Sequence, residues 1–303
     1  MQKDKPAFCR ARLGERMQRC RIPYTSPMRI QLFSDLHLER YPDFQPTILP
    51  DTDVVILAGD IGSYQPGSRL GGVDFGLGRF SPRRAGATPA QVLFSPGNHE
   101  FDGLEFDGTL ARLRALCEEL GITWLDREIV TLGQVRFIGT TLWSDFDALA
   151  GTHDLTKQLQ LRSKALRAAN YYLGKNTTLR AGVPVLAEGW REMGLDCQAW
   201  LRAALATPFD GVTVAVTHFA PSLLSADPRY GVTPGTAGFC NALDGLLPHA
   251  ELWLHGHLHC RNDYTVTGVD DGRPWSCRVV ANPLGYLSKG EQDGFRPDLV
   301  LDL

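Results

Sequence analysis

Five short clusters of histidine, aspartate and asparagine recur along this chain, and each directly follows a short apolar run. In chain order the clusters are Asp35-Leu36-His37, Gly59-Asp60, Gly97-Asn98-His99-Glu100, Thr217-His218 and Gly256-His257-Leu258-His259. Imidazole nitrogens together with carboxylate and amide oxygens suit divalent transition metals such as Mn, Fe, Co, Ni or Zn. The candidate ligands outnumber those of one tetrahedral site. The set therefore favours two ions that share a carboxylate. Two such ions can bind the attacking and the leaving oxygen of a displacement at phosphorus.

Apolar runs along the chain predict its strands, and five of these runs directly precede the clusters. The predicted strands cover residues 30–34, 53–58, 91–95, 135–140, 212–217, 251–255 and 278–281. Nearly continuous apolar strands are typical of sheets that are buried on both faces. A helix is predicted at Leu110–Leu120, ending at Gly121. Because ligands of open α/β sheets bind beyond the carboxyl ends of the strands, we expect the five clusters to converge on one rim.

Two segments interrupt the alternation of strands and helices. Residues 62–89 are rich in Gly, Arg and Pro and predict a surface loop around a short helix. Residues at about 147–208 are mainly helical in pattern, at 155–173 and 185–205, with a break near Gly174. Sixty residues exceed an ordinary crossover between strands, so we interpret this segment as a helical insertion that caps or flanks the sheet.

Charge is distributed unevenly along the chain. Residues 1–27 carry seven Lys/Arg against two acidic residues, a net charge of +5, which leaves −8 for residues 28–303 because the whole chain carries −3. We interpret 1–27 as a basic, disordered extension, with a partner-binding arm as the alternative, and 28–303 as the domain. The acidic body argues against a nucleic-acid platform, which needs a basic face.

Hydropathy and cysteine usage restrict the class of protein further. No apolar stretch reaches the roughly 18 residues of a membrane span, which argues against a membrane protein. The seven cysteines include no C-x-x-C pair, and the basic N-terminus lacks the apolar region of a signal peptide. We therefore expect a cytoplasmic protein. No feature of the sequence indicates an oligomeric state.

The ordered pattern D-x-H, G-D, G-N-H-[DE], H and G-H-x-H, from Asp35 to His259, resembles the calcineurin-like metallophosphoesterase superfamily. The chain is most similar to small bacterial members that open with a strand and then S-D-L-H-L-E, as Ser34–Glu39 do. The resemblance covers residues 28–303. It implies an α/β fold, a four-layer α/β/β/α sandwich of two mixed sheets flanked by helices, here with the helical insertion.

The same resemblance implies a role for each cluster. Asp35, His37 and His259 correspond to ligands of a first metal ion, and Asp60 to the carboxylate that bridges both ions. The ligands implied for the second ion are Asn98, His218 and His257.

His99 corresponds to an imidazole that is not a ligand but, beside Asn98, contacts the phosphate. A group that donates a proton near neutral pH is most naturally a histidine. The expected reaction is hydrolysis, in which hydroxide bridging the two metals attacks phosphorus in line and His99 assists the leaving group. Asp60 and His99 are the expected catalytic residues, and Asn98 and His99 are expected to bind the substrate.

The expected substrate is a small-molecule phosphate ester. We favour a phosphodiesterase because no arginine cluster is evident for a dianionic phosphate, and because similar bacterial proteins belong to that class. A phosphomonoesterase or protein phosphatase remains an alternative, as does a nuclease, although the acidic body argues against it. A non-catalytic metal-binding scaffold is the alternative from another class, and it would be expected to lack a ligand or the catalytic histidine.

Several neighbouring residues allow two interpretations. His255 is interpreted as a buried structural histidine rather than a ligand. Glu100 could orient a ligating imidazole or be a solvated acid, and Asp145 could border the site or cap the first helix of the insertion. Asn282 and Tyr286 could line the mouth of the pocket.

Overall fold

The computed structural model describes residues 27–175 and 178–303. Apart from Pro27, the predicted extension 1–27 lies outside the described residues. In chain order the strands are β1 (Arg29–Phe33), β2 (Val54–Ala58), β3 (Gln91–Ser95), β4 (Thr123–Trp124), β5 (Glu128–Leu132), β6 (Val135–Thr140), β7 (Leu179–Arg180), β8 (Val183–Pro184), β9 (Val212–Thr217), β10 (Leu252–His255), β11 (Asn262–Asp270), β12 (Arg273–Ala281) and β13 (Val300–Asp302). The α-helices are α1 (Phe106–Leu120), α2 (Leu155–Leu173) and α3 (Ala187–Ala206).

Two mixed sheets form the centre of the fold. The first has the strand order β13-β1-β2-β3-β4, and all its neighbours are parallel except β13 with β1. The second has the order β11-β12-β10-β9-β6-β5. Its four central strands are parallel, whereas β11 and β5 pair antiparallel at the edges. The strands β7 and β8 form a separate short hairpin.

The two sheets pack face to face through alternate residues of their strands. Ile30 and Leu32 of β1 and Ile56 of β2 belong to one buried cluster with Val214 and Val216 of β9. Side chains two residues apart point to the same face of a strand, so these positions define the inner faces. Each such aliphatic side chain contributes about 1.5–3 kcal/mol when it is fully buried.

Helices cover the outer faces of both sheets. Val55 and Leu57, between the inward positions of β2, share a second cluster with Leu113 of α1. Ala215 of β9 and Leu201 of α3 belong to this cluster as well, and α3 contacts β6. The order of layers is helix, sheet, sheet, helix. The predicted four-layer α/β/β/α sandwich is therefore confirmed.

The segment predicted as a helical insertion contains both α2 and α3. Helix α2 begins after Asp154, whose carboxylate accepts a hydrogen bond from the Lys157 amide at 2.9 Å, and it ends before Gly174. Trp190 of α3 is buried and stacks on Trp143 with ring centroids 4.1 Å apart. No helix within 27–175 or 178–303 is long and apolar enough to cross a membrane.

The loop predicted at 62–89 is more buried than its composition suggests. It holds a 3-10 helix at Leu77–Phe80, as the expected short helix, but Phe75, Leu77 and Phe80 are buried. The ring of Phe80 lies 5.6 Å from that of Phe33. Part of this segment therefore belongs to the outer core instead of the surface.

The parallel strands bring the five polar clusters to one edge of the molecule. Asp35, Asp60 and Asn98 follow β1, β2 and β3, which are neighbours in the first sheet. His218 follows β9, and His257 follows the adjacent strand β10 of the second sheet. The two sheets thus each contribute part of one cluster of side chains.

Candidate metal centre

The expected ligands form two groups of converging atoms. In the first group, ligand atoms of Asp35, His37, Asp60 and His259 all lie within 4.8 Å of one another. In the second, those of Asp60, His218 and His257 meet the same limit. Asp60 is common to both groups, at the position that the sequence analysis gave to a bridging carboxylate.

In the first group two imidazole nitrogens face each other. Nε2 of His37 lies 3.0 Å from Nε2 of His259, and the latter lies 3.5 Å from Oδ1 of Asp35. In addition, Nδ1 of His37 lies 3.0 Å from Glu39 Oε1, and Nδ1 of His259 lies 2.6 Å from Glu291 Oε2. Because a carboxylate only accepts, each Nδ1 carries its proton and, in a neutral ring, each Nε2 presents a lone pair to the group.

In the second group, an amide oxygen and a carboxylate oxygen approach one imidazole nitrogen. Nε2 of His218 lies 3.1 Å from Oδ1 of Asn98 and 3.2 Å from Oδ2 of Asp60. Nδ1 of His218 donates to the Ala58 carbonyl at 2.8 Å, so in a neutral ring its Nε2 also presents a lone pair to the group.

Two buried atoms of the second group have no hydrogen-bond partner: Oδ2 of Asp60 and Nε2 of His257. A buried polar atom without a partner costs roughly 1–3 kcal/mol, so such atoms need an explanation in a folded protein. A pair of divalent cations would satisfy both atoms, since one oxygen belongs to the shared carboxylate. The residues present therefore fit the two ions predicted from the sequence.

Five of the candidate ligands have a left-handed backbone. Their φ angles lie between 46° and 72°, for Asp35, His37, Asp60, His257 and His259. This region costs non-glycine residues of order 1–3 kcal/mol and persists only where surrounding contacts fix it. Here the Asp35 amide donates to the Gly59 carbonyl at 3.0 Å, and the His257 amide donates to Oδ1 of Asp35 at 2.9 Å. The loops are therefore held in one conformation that aims the side chains together.

Two glycines allow the loops to approach this closely. A Cβ atom on Gly97 would lie 2.2 Å from Oδ1 of Asp60, and one on Gly256 would lie 2.5 Å from Oδ2 of Asp35. Both distances are shorter than any real contact of a Cβ atom, so a side chain at either position would displace a candidate ligand.

Electrostatics in the ligand groups follow from burial and mutual contact. Burial disfavours the charge of Asp60, but the neighbouring His218 and His99 hold the pKa of this carboxyl well below its usual range. Burial opposes the charged form of His259 as well, yet Asp35 and Glu291 raise its pKa to about 9. His257 behaves in the opposite way, because burial and the nearby His218 lower its pKa. The centre is thus a dense set of charges that compensate one another.

His99 lies beside the ligand groups without belonging to either. Its backbone amide donates to Oδ1 of Asp60 at 2.8 Å, and its Nε2 lies 4.0 Å from Oδ2 of the same residue. Its Nδ1 lies 2.6 Å from Oδ2 of Asp102, and the side chain is 17% exposed. Although burial lowers the pKa of His99, the charges of Asp102 and Asp60 raise it to about 10. An accessible imidazole thus stands next to the shared carboxylate.

Glu100 neither orients an imidazole nor is a solvated acid, the two interpretations that its sequence context allowed. Its buried carboxylate accepts hydrogen bonds from the backbone amides of Asp60, Ile61 and Gly97 at 3.1, 2.7 and 2.8 Å. Burial and the charge of Asp60 raise its pKa to about 8. Glu100 therefore links the loop after β2 to the loop after β3.

The imidazole-orienting carboxylates are instead Glu39 and Glu291, and Asp102 orients His99. Sequence reasoning missed these three roles. Glu39 ends the S-D-L-H-L-E segment two residues after His37, which is a usable signal. Glu291 is 32 residues from His259, so only the fold brings them together.

The remaining candidates lie outside both groups. His255 is buried and contacts Ser225 Oγ and the Gly256 carbonyl. Asp145 does not cap α2, because Asp154 occupies that position. The carboxylate of Asp145 instead accepts a hydrogen bond from Gln198. Asn282 is buried and donates to two backbone carbonyls, so it does not line the pocket, whereas the ring of Tyr286 lies 4.3 Å from that of His37.

Comparison with known proteins agrees with this fold. The sequence model of the calcineurin-like phosphoesterase family matches residues 28–261. The chain belongs to this family, and its class is that of metal-dependent phosphoester hydrolases.

Two individual proteins illustrate the relationship. An uncharacterized protein of Acanthamoeba polyphaga mimivirus is 23% identical over 227 residues, which are 70% of this chain and 74% of that protein. The crystal structure of phosphopantetheinyl hydrolase from Mycobacterium tuberculosis superposes with a TM-score of 0.61 at 18% identity. The superposition covers 92% of this chain and 96% of the hydrolase chain, so the two proteins share the fold.

Proposed function

We propose that this chain hydrolyses phosphodiesters with two divalent ions held by the two ligand groups. The observation that carries the proposal is the Asp60 carboxylate, which is common to both groups and has one buried oxygen without a hydrogen-bond partner. In this proposal Asp35, His37 and His259 bind the first ion, Asn98, His218 and His257 bind the second, and Asp60 bridges them. The donors are nitrogen and oxygen atoms, which suits Mn, Fe, Co, Ni or Zn.

The ions, when bound, neutralise charge on the phosphoryl oxygens and lower the pKa of bound water. The residues of the chain supply orientation and proton transfer. Glu39 and Glu291 fix the rings of His37 and His259, so that their Nε2 atoms stay directed inward. Asn98 and His99 are proposed to contact the phosphate.

His99 is proposed to donate a proton from Nε2 to the departing oxygen. Asp102 accepts the Nδ1 proton, so Nε2 is the nitrogen that faces Asp60 and the ligand groups. The negative charge of Asp102, which contacts Nδ1 directly, favours the protonated ring, which is the form that a general acid requires. Asp102 is a positioning residue in this scheme, since it acts through His99.

A diester is favoured over a monoester by the charge around the site. A monoester dianion requires additional cationic donors, typically arginine. Arg229 reaches the loop of the second sheet, with its Nη2 3.1 Å from the His259 carbonyl, but its guanidinium is already paired with Asp227 at 2.6 Å. Phosphomonoesterase or protein phosphatase activity is the alternative.

The proposed setting is the cytoplasm, with a small-molecule ester as substrate. The five cysteines within the described residues are free thiols, as expected of a reducing compartment. The charge of −8 over residues 28–303 argues against a nuclease.

The test is a metal-reconstituted assay of aryl phosphodiesters, aryl phosphomonoesters and nucleotides across Mn, Co, Ni, Zn and Mg. We expect kcat/KM for the aryl diester to exceed that for the monoester at least tenfold with one or more transition metals. A preference for monoesters would select the alternative. Hydrolysis of no substrate by protein that carries two metals would support the non-catalytic scaffold.

A further inference from the structure

A series of aromatic rings runs from the insertion to the surface beside the second ligand group. The rings are those of Trp190, Trp143, Phe219, His257 and Phe239. Successive centroids are 4.1, 5.4, 4.0 and 5.0 Å apart, so each ring contacts the next. The first three rings are buried, whereas Phe239 at the outer end is 43% exposed.

The backbone around Phe239 is firmly held. It follows a 3-10 helix at Pro234–Gly238, where Thr233 and Thr236 form a reciprocal capping box. The Phe239 amide donates to the Thr236 carbonyl at 3.0 Å, and the Ala220 amide donates to the Phe239 carbonyl at 3.4 Å. An exposed ring on such a fixed backbone loses little further freedom when it contacts a ligand.

Three further apolar side chains are exposed in the segment of the chain that holds Phe239. Leu224, Tyr230, Val232 and Phe239 are all exposed and lie in one segment of the chain. This segment is attached to the G-H-x-H loop at two points: Arg229 donates to the His259 carbonyl, and the Phe239 ring packs on His257. The segment that holds Phe239 therefore contacts the candidate metal centre.

We propose that Phe239 determines substrate specificity by stacking on a planar, ring-bearing arm of the phosphate ester. The inference rests on the proposed function, because it assumes that the phosphate lies between the two ligand groups. Phe239 packs on His257 of the second group, so an ester arm that leaves the phosphate on this side meets its exposed face. The chemical class of substrate is thus an ester with one aromatic arm.

The test compares binding of phenylphosphonate and methylphosphonate to the metal-loaded protein by calorimetry. These probes share the anionic group and differ in the ring, and neither depends on turnover. We expect the wild type to bind phenylphosphonate roughly tenfold more tightly, about the factor for one additional aromatic contact. Phe239→Ala should remove this preference, and Phe239→Tyr should keep it.

Two controls separate specificity from structure. Tyr171 is an exposed aromatic residue of α2 whose ring contacts Tyr172 and Lys175, so Tyr171→Ala should keep the wild-type preference. In Phe239→Ala, two metals per chain and an unchanged Kd for methylphosphonate would show that His257 has not moved.

A phenyl preference that survives in Phe239→Ala, or that is absent from the wild type, would refute the role of Phe239 alone. Failure of the metal-loaded wild type to hydrolyse any ester in the metal-reconstituted assay would refute the proposed function, and this inference with it.

Discussion

Nδ1 of His99 lies 2.6 Å from Oδ2 of Asp102, three residues further along the chain. This contact fixes which nitrogen of the ring carries the proton toward Asp102 and leaves Nε2 directed at the site. A short 3-10 helix at His99–Phe101 sets the distance, because it turns the chain so that both side chains meet. His99 and Asp102, whose side chains meet in this turn, thus act together.

His99→Ala should lower kcat by 100-fold or more while metal content stays near two per chain, because the ring is outside both ligand groups. Asp102→Asn should lower kcat by about 10- to 100-fold, since it removes the charge that stabilises the imidazolium. Steady-state kinetics and metal analysis check both changes. Asp107→Asn, at an exposed ion pair with Arg180, is the matched control and should behave as wild type. Loss of both metals from His99→Ala would place His99 among the ligands.

Asp60→Asn should abolish turnover and reduce bound metal to one ion or fewer per chain. The amide has one oxygen in place of two and no charge, so it cannot bridge two cations as a carboxylate does. Metal analysis after dialysis, with activity measured on the same sample, gives the result. Asp154→Asn keeps a good capping residue at the start of α2 and serves as the control. Full activity of Asp60→Asn would contradict the bridging role.

Glu291→Gln should weaken metal binding by the first ligand group about 10- to 100-fold, the usual effect of losing a partner of a ligating histidine. The glutamine oxygen can still accept from Nδ1 of His259, but it lacks the charge that favours this tautomer. Competition with a chromophoric chelator measures the affinity. Asp293→Asn, at an exposed position two residues away, should leave the affinity unchanged. Equal affinities of Glu291→Gln and wild type would make Glu291 merely structural.

Stability should depend on pH through His255. Burial lowers the pKa of this histidine to about 4, below its ordinary 6.5, so the folded state favours the neutral ring. Its stabilisation is therefore complete above pH 6.5 and is lost as the pH falls toward 4, by about 3 kcal/mol in total. Urea unfolding of metal-free protein at pH 7 and pH 4 measures the change. His255→Gln should lose that part of the pH dependence, and His153→Gln, at an exposed position, should keep it. Identical pH slopes for wild type and His255→Gln would disprove the linkage.

The sequence predicts the central strands well and the peripheral ones poorly. The five runs that precede the clusters match β1, β2, β3, β9 and β10, and the run at 135–140 matches β6, all to within one residue, because strands buried on both faces are nearly all apolar. The strands β4 and β13 have two and three residues, too few for a pattern. In β11 half-buried side chains alternate with exposed ones, and its pairing with β12 extends the predicted strand at 278–281 back to Arg273.

The ends of helices are predicted correctly only where a capping residue marks them. Helix α1 ends at Gly121, which has φ 74° as the sequence indicates, but it begins at Phe106, four residues before the predicted start. No side-chain cap marks that start; Glu105 makes no capping hydrogen bond there. Where a boundary has no capping residue, periodicity alone leaves it undefined.

The positions of the polar clusters in the sequence predict most of the candidate ligands but not the contacts around them. Residues that follow parallel strands were expected to meet, and the two ligand groups contain six of the seven predicted ligands; Asn98 lies against His218 of the second group. Contacts made by residues outside these motifs, such as Glu291 with His259, depend on loops that no periodicity describes.

The candidate ligands are divided between the two sheets, with Asp35, His37, Asp60 and Asn98 on the first and three histidines on the second. Ions bound by these residues would link the two sheets, so unfolding would have to release the ions. Thermal denaturation would then rank cations by affinity before any substrate is known, and the cation that raises Tm most would be the first to use in assays.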